Sequence, residues 1–285
     1  MYEKFVDYLK LMRLNRPIGI FLLLWPTMWA LWFAAGGMPD PHVLFVFVAG
    51  TVLMRSAGCA INDYADRGID PHVARTKDRP IASGRIKPEE AVRLFVAISL
   101  IAFGLLTSLK NVHVILLSIP GAALAASYPF MKRWIALPQA YLGLAFSWGI
   151  PMAFATIQRD VDWNAGVELL VANLFWVMAY DTYYAMVDRA DDLKIGVKSS
   201  AILFGRHDRL AIALMQGASL LLLIQLGLNH QRGNWYYAGI AMAAWLAVYQ
   251  QWITRNREPA ACFRAFLNNN WFGAAIFAGL VIDLL

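Results

Sequence analysis

A stretch of nine residues, Asn62 to Asp70, is unusually rich in side chains that carry oxygen ligands. It follows directly on the apolar run 43–61. If that run is a helix that continues through the stretch, Asn62, Asp66 and Asp70 span only about 80° of its circumference. Neighbouring carboxylates repel each other, so such a face favours a bound cation. Oxygen ligands without cysteine or histidine indicate Mg²⁺ or Mn²⁺ rather than zinc.

A second acidic stretch, 181–192, ends another apolar run, 169–180. Its residues Asp181, Asp188 and Asp192 are spaced at i, i+7 and i+11, which places them within about 40° of one another on a helix. Metal ions between two such stretches would bridge carboxylates to phosphate oxygens and neutralise a departing diphosphate. The two stretches together therefore predict Mg²⁺-dependent chemistry on a diphosphate.

Basic side chains follow both acidic stretches and also occur in the loop between them. Such side chains are common on the cytoplasmic side of any membrane protein, and that alone would explain them. Directly beside a Mg²⁺–diphosphate site, we expect them to hold phosphate oxygens instead. The predicted diphosphate-binding residues are Arg75, Lys77, Arg79, Lys132, Lys194 and Lys198.

The composition is that of an integral membrane protein. Of the 285 residues, 59% are hydrophobic and 15% are charged, against about 25% charged in an average soluble domain. A very apolar soluble protein is the alternative, but apolar runs of about 18 to 20 residues recur too often for it. In so apolar a chain the net charge of +6 does not indicate nucleic acid. Cys59 and Cys262 have no metal-type spacing, and we expect both to be small buried residues.

Nine apolar segments are each close to the length that spans a bilayer. No linker divides them, so we predict one all-α transmembrane domain over residues 1–285, with no evident need for a protein partner. Residues 1–16 mix basic and apolar positions and predict an amphipathic helix on the membrane surface. The predicted segments are 17–36, 43–62, 91–109, 112–129, 136–157, 166–187, 209–228, 235–254 and 267–285.

The distribution of basic residues predicts the orientation of the chain. With the N-terminus in the cytoplasm, that side receives all of the 25 Lys and Arg residues except Lys110, Arg159 and Arg232. Both acidic stretches then lie at the cytoplasmic ends of the second and sixth segments, as a shared site requires. Their recurrence four segments apart also indicates an internal duplication.

Arg55 lies inside the second apolar segment, seven residues before Asn62. On a helix this places it about 20° from Asn62 and roughly two turns deeper in the membrane. An intramembrane arginine is costly and usually marks function. The alternative is a structural ion pair with a carboxylate such as Asp181.

The two acidic stretches resemble the two signatures of the UbiA superfamily of intramembrane aromatic prenyltransferases. The resemblance covers essentially the whole chain and is closest to the branch that prenylates 4-hydroxybenzoate in bacterial ubiquinone synthesis. Residues 75–84 and 128–133 fit the same superfamily. The matching positions are Asn62-Asp63-x-x-Asp66-x-x-x-Asp70 and Asp181-x-x-Tyr184-Ala-x-x-Asp188-x-x-Asp191-Asp192-x-x-x-Gly196-x-Lys198-Ser199.

The resemblance implies nine helices around a cavity that opens to lipid, in the bacterial inner membrane. It implies transfer of a polyprenyl group from polyprenyl diphosphate to the ring carbon ortho to the hydroxyl of 4-hydroxybenzoate. The implied Mg²⁺ ligands are Asn62, Asp66, Asp70, Asp188 and Asp192. Asp63, Asp181 and Asp191 are the catalytic candidates, with Asp191 as the base. Arg55, Arg133 and Tyr184 are the candidates for binding the aromatic acceptor.

Several alternatives stay open at this point. Homogentisate, naphthoate, haem and chlorophyllide enzymes share both motifs, and the prenyl chain length is not predicted. A cation transporter would place its acidic residues along a path near mid-membrane, whereas these cluster at one surface. A CDP-alcohol phosphotransferase would have one contiguous Gly-spaced motif, which is not found.

Overall fold

The computed structural model describes residues 2–73, 75–131, 133–158 and 161–285. Over these ranges the chain is helical and forms no strand. Short 3₁₀ turns lie at Asp70–His72 and Gly205–His207. The helices are α1 Tyr2–Leu11, α2 Ile18–Ala35, α3 Pro41–Ala65, α4 Pro88–Thr107, α5 Val112–Met131, α6 Pro138–Ser147, α7 Gly149–Ile157, α8 Trp163–Ile195, α9 Ser200–Phe204, α10 Asp208–Asn229, α11 Asn234–Ile253 and α12 Pro259–Asp283.

Each predicted apolar segment overlaps one of these helices, so the all-α fold class is confirmed. The fifth segment is divided at Trp148, which separates α6 from α7. Within the described ranges, seven helical stretches are long and apolar enough to cross a membrane. The prediction of nine spans therefore stays a prediction. The seven are Ile18–Ala35, Pro41–Ala65, Pro88–Thr107, Val112–Met131, Pro138–Ile157, Ser200–Asn229 and Pro259–Asp283.

Only residues 62–65 of the first acidic stretch belong to α3, so the hypothesis of one helix through the whole stretch is wrong. The helix ends at Ala65, and the Asp66 amide donates to the Asn62 carbonyl oxygen at 2.9 Å. Asp70 begins the separate 3₁₀ turn. Gly68 disfavours further helix, and Pro71 has no N–H with which to continue the helical hydrogen bonds. The three predicted ligands therefore do not share one helical face.

The second acidic stretch lies on one unbroken helix, as predicted. Helix α8 begins at the capping residue Asp162, whose carboxylate accepts from the Ala165 amide at 3.0 Å. It ends where Gly196 adopts a left-handed conformation with φ of 71°, which glycine adopts without steric cost. Asp181, Asp188, Asp191 and Asp192 therefore follow one another along the last four turns of α8.

Aromatic rings and paired amides hold the helices together. Trp176 of α8 lies 5.2 Å from Trp29 of α2 and 5.4 Å from Phe272 of α12, measured between ring centroids. Its indole donates to the Asn269 side-chain oxygen at 2.9 Å. Interhelical hydrogen bonds of this kind are the polar contacts that membrane bundles tolerate. Both cysteines are free and buried, as predicted.

Candidate active site

A cavity of about 870 Å³ lies between α2, α3, α4, α5, α6, α7, α8 and α12. Its wall runs along α3 from Val46 to Asp63, about 26 Å at the rise of an α-helix. One group of charged side chains lines it near the end of α3, and apolar side chains line most of the rest, with Arg55 and Asp181 also in the wall. The charged group is Lys10, Arg13, Arg16, Asp63, Arg75, Asp78, Arg79 and Arg85. The aromatic part of the apolar wall includes Phe47, Phe103, Phe146, Trp148, Phe263 and Phe266.

The two acidic stretches meet at the charged end of this cavity. Arg75, which follows the first stretch, donates from Nε to Oδ1 of Asp188 in the second at 2.9 Å. The same guanidinium lies 4.6 Å from the ring centroid of Tyr184. A bidentate arginine–carboxylate pair is geometrically specific, so this contact sets the loop after α3 against α8.

A second arginine joins two carboxylates within the first stretch. Nη1 of Arg79 donates to Asp63 at 3.1 Å and to Asp70 at 3.0 Å. Asp63 is only 1% exposed, and a buried carboxylate needs such a partner. Burial raises the pKa of Asp70 to about 6, an effect that Arg79 reduces and the nearby Asp66 and Asp63 increase. Guanidinium groups thus supply the positive charge that the acidic stretches need.

Arg13 is a site residue that the sequence analysis missed. It belongs to the N-terminal segment, yet Nη2 donates to Asp63 at 2.9 Å, fifty residues along the chain. Its backbone takes a left-handed φ of 57°, which is uncommon for a residue other than glycine. The pattern of residues 1–16 predicted a surface helix, and a basic residue in such a helix carries no signal that it turns inward.

The residues present fit a divalent cation by chemistry, although they do not form a finished site. All five predicted ligands are oxygen donors, and Asn62 lies beside Asp66, with Nδ2 donating to Oδ2 at 3.2 Å. In the part of the chain that the structure describes, no three His, Cys, Asp or Glu side chains are grouped closely enough to hold a metal. Asp70 and Asp188 are instead held by Arg79 and Arg75. A cation bound at either carboxylate would therefore compete with these arginines.

The predicted diphosphate-binding residues fall into two groups. Arg75 and Arg79 lie in the cavity wall. Lys77 is exposed, Lys194 pairs with Asp191 at 3.1 Å, and Lys198 donates to the Trp134 carbonyl oxygen at 3.1 Å. None of these three lysines lines the cavity as described. The sixth residue, Lys132, lies outside the described residues.

The residues predicted to bind the acceptor also fall into two groups, inside and outside the cavity wall. Arg55 and Tyr184 line the cavity, where Tyr184 lies 4.8 Å from the Phe266 ring centroid. Arg133 is exposed and donates to the carbonyl oxygen of Ala65 at the end of α3. Among the described residues Arg55 forms no salt bridge, and Asp181, its partner in the alternative interpretation, lines the same cavity and interacts with it electrostatically without an ion-pair contact. Its Nε is buried without a hydrogen-bond partner in the described structure.

The three catalytic candidates likewise differ in whether they line the cavity. Asp63 and Asp181 line the cavity. Asp191 does not appear in its described wall, and it pairs with the exposed Lys194. Its role as the base stays a prediction, and Asp181 is better placed to meet a ring bound in the cavity.

The fold and these motifs define an intramembrane prenyltransferase. The chain belongs to the UbiA prenyltransferase family, whose model matches residues 23–274, and it is a multi-pass membrane protein. The 4-hydroxybenzoate octaprenyltransferase of Nitrosococcus oceani is 58% identical over 100% of this chain and 99% of its own. A UbiA homolog from Aeropyrum pernix has a TM-score of 0.81 and 26% identity, covering 94% of this chain and 98% of its own. A UbiA homolog from Archaeoglobus fulgidus, bound to GPP and Mg²⁺, has a TM-score of 0.70 and 16% identity, covering 96% of this chain and 99% of its own.

Proposed function

We propose that this protein transfers a polyprenyl group from polyprenyl diphosphate to the ring carbon ortho to the hydroxyl of 4-hydroxybenzoate. The observation that carries the proposal is a single cavity whose wall combines Asn62, Asp63 and Asp181 of the two acidic motifs with a long apolar stretch. A polyprenyl diphosphate has the same division, with a charged head and an apolar tail. The name of the relative in Nitrosococcus oceani supports 4-hydroxybenzoate as acceptor and an octaprenyl chain as donor.

We propose Mg²⁺ as the cofactor, and the homolog of Archaeoglobus fulgidus with GPP and Mg²⁺ supports this choice. Bound Mg²⁺ neutralises negative charge on a departing diphosphate. Asn62, Asp66, Asp70, Asp188 and Asp192 would hold it. Arg75 and Arg79, which pair with Asp188 and Asp70, would then be available to the phosphate oxygens.

The remaining residues account for the organic step. The allylic C–O bond of the donor breaks, a C–C bond forms at the ring carbon, and that carbon loses its proton to a carboxylate, Asp181 or Asp191. An aromatic wall that includes Phe263 and Phe266 excludes water, which would otherwise capture the carbocation-like species. Arg55 pairs with the acceptor's carboxylate, because an unpaired charge in an apolar cavity is costly.

We propose the bacterial inner membrane as the location, with the N-terminus in the cytoplasm, on the basis of the charge distribution of the loops. The substrates fit this location, since a polyprenyl chain dissolves in lipid and 4-hydroxybenzoate is water-soluble. The product would enter ubiquinone synthesis.

A competition between acceptors tests the function. The purified full-length protein, in lipid nanodiscs with Mg²⁺ and octaprenyl diphosphate, is given equal amounts of 4-hydroxybenzoate, homogentisate and a hydroxynaphthoate. We expect prenylated 4-hydroxybenzoate by mass spectrometry, with one diphosphate released for each product. A prenylated product from either other acceptor and none from 4-hydroxybenzoate would overturn the proposal.

A further inference from the structure

The guanidinium of Arg55 lies edge-on against Gly19 of the neighbouring helix α2. A Cβ atom placed on Gly19 would lie 2.5 Å from both Nε and Nη2 of Arg55, and 2.8 Å from its Cζ. Carbon and nitrogen atoms that are not bonded to each other do not approach this closely. The present position of the guanidinium therefore exists only because residue 19 has no side chain.

The opposite edge of the guanidinium is held within α3 itself. Nη1 of Arg55 donates to the sulfur of Cys59, one turn further along the helix. Nothing else among the described residues accepts a hydrogen bond from Nε. The charged group thus sits between a glycine and a thiol, with no carboxylate in salt-bridge contact among the described residues, although Asp181 of the same cavity is near enough to act on it electrostatically. Its buried Nε, which has no hydrogen-bond partner among these residues, leaves the guanidinium able to bind an anion that arrives from outside the chain.

The glycine has no evident role in the backbone. Gly19 lies in the first turn of α2 and does not adopt a positive φ, and alanine is a better helix former than glycine. The atoms that an added methyl group would displace belong to the tip of a long, flexible side chain. We therefore expect α2 and α3 to accept Gly19→Ala with their packing intact, while Arg55 moves.

We propose that Gly19 is a positioning residue that determines acceptor specificity by setting where Arg55 meets the acceptor's carboxylate. This inference rests on the proposed function, because it needs Arg55 to bind the acceptor. It goes beyond that function because it assigns the selection of an acceptor with a carboxylate to two residues, Gly19 of α2 and Arg55 of α3. The chemistry is recognition of an aromatic carboxylate by a guanidinium of restricted orientation, and small displacements weaken such bidentate pairs.

A double-mutant cycle tests the proposal with Gly19→Ala, Arg55→Ala and the double variant in nanodiscs. Gly217→Ala is the matched control, since Gly217 is a helical glycine of α10 with open space around its Cβ position and no place in the cavity wall. The readouts are kcat, KM for 4-hydroxybenzoate, KM for octaprenyl diphosphate and Tm.

We expect Gly19→Ala to raise KM for 4-hydroxybenzoate about tenfold, as Arg55→Ala does, with KM for the diphosphate and Tm nearly unchanged. In the Arg55→Ala background, Gly19→Ala should change KM less than about twofold, because residues that act through one contact are not additive. The control variant should match the unmodified protein.

Three results would overturn the inference. In the first, Gly19→Ala leaves KM for the acceptor unchanged although Arg55→Ala raises it. In the second, Gly19→Ala raises KM by the same factor in the Arg55→Ala background as in the unmodified protein. In the third, Gly19→Ala reduces the amount of folded protein. Each of these leaves the proposed function standing. If Arg55→Ala itself leaves KM for 4-hydroxybenzoate unchanged, the acceptor role of Arg55 fails, and the inference about Gly19 fails with it.

Discussion

Removing Arg75 should strengthen metal binding and weaken diphosphate binding at the same time. Its guanidinium pairs with Asp188, a proposed metal ligand. The side chain of Arg75 is 27% exposed and that of Asp188 is 15% exposed. A hydrogen bond to a charged group contributes about 1.5 to 3 kcal/mol, and partial exposure lowers this to about 1 to 2 kcal/mol. Since a cation at Asp188 competes with Arg75 for the same carboxylate, Arg75→Ala should lower the Kd for metal by a factor of about 5 to 30. The lost phosphate contact should raise KM for octaprenyl diphosphate by a similar factor.

The assay measures free Mn²⁺ by electron paramagnetic resonance in nanodiscs that contain no diphosphate. Arg67→Ala is the matched control, because Arg67 donates to the carbonyl oxygen of Tyr64 at 2.8 Å and lies over the Tyr64 ring, but pairs with no carboxylate among the described residues. It removes the same charge from the same segment, so its metal affinity should stay within about twofold. Metal binding that weakens or does not change in Arg75→Ala would refute the exchange between arginine and metal.

Three further predictions concern metal, acceptor and orientation. Asp66→Asn and Asp188→Asn should each abolish turnover with little change in folded protein, and EDTA should inhibit until Mg²⁺ is restored; full activity without metal would contradict this. Arg55→Ala should raise KM for 4-hydroxybenzoate about tenfold, a loss of about 1.4 kcal/mol, but not KM for the uncharged 4-hydroxybenzamide. An equal effect on both acceptors would refute the charge pairing. A cysteine placed within 68–72 should react with an impermeant reagent only from the cytoplasm, and one at Gln231 only from the other side. The reverse pattern would overturn the orientation.

The sequence could predict the helices because the length of each apolar run, and the polar residues that interrupt it, largely determine where a helix begins and ends. Helix α8 is an example, since its acidic residues lie at helical spacing and Gly196 ends it. The end of α3 was predicted wrongly although Gly68 and Pro71 are present, because the spacing of Asn62, Asp66 and Asp70 suits a helix equally well. The helix-breaking residues Gly68 and Pro71, rather than that spacing, determine where the helix ends.

The pairing of charges within the site could not be predicted. Arg13 reaches Asp63, and Arg75 reaches Asp188, across fifty and 113 residues. Spacing along a chain carries no information about such contacts, which depend on how helices pack. The contact of Arg55 with Gly19 is of the same kind, because only the packing of α2 against α3 gives that glycine its significance.

The central claim is that one cavity brings the two acidic motifs to a polyprenyl diphosphate and an aromatic carboxylate acceptor. The most direct measurement is the product formed by the full-length protein from octaprenyl diphosphate and 4-hydroxybenzoate, with Mg²⁺ and with EDTA. With Mg²⁺ we expect a carbon–carbon linked product, prenylated ortho to the hydroxyl by mass spectrometry and proton NMR, and with EDTA none. A product linked through oxygen, an equal yield in EDTA, or release of diphosphate with only the free prenyl alcohol would contradict the account.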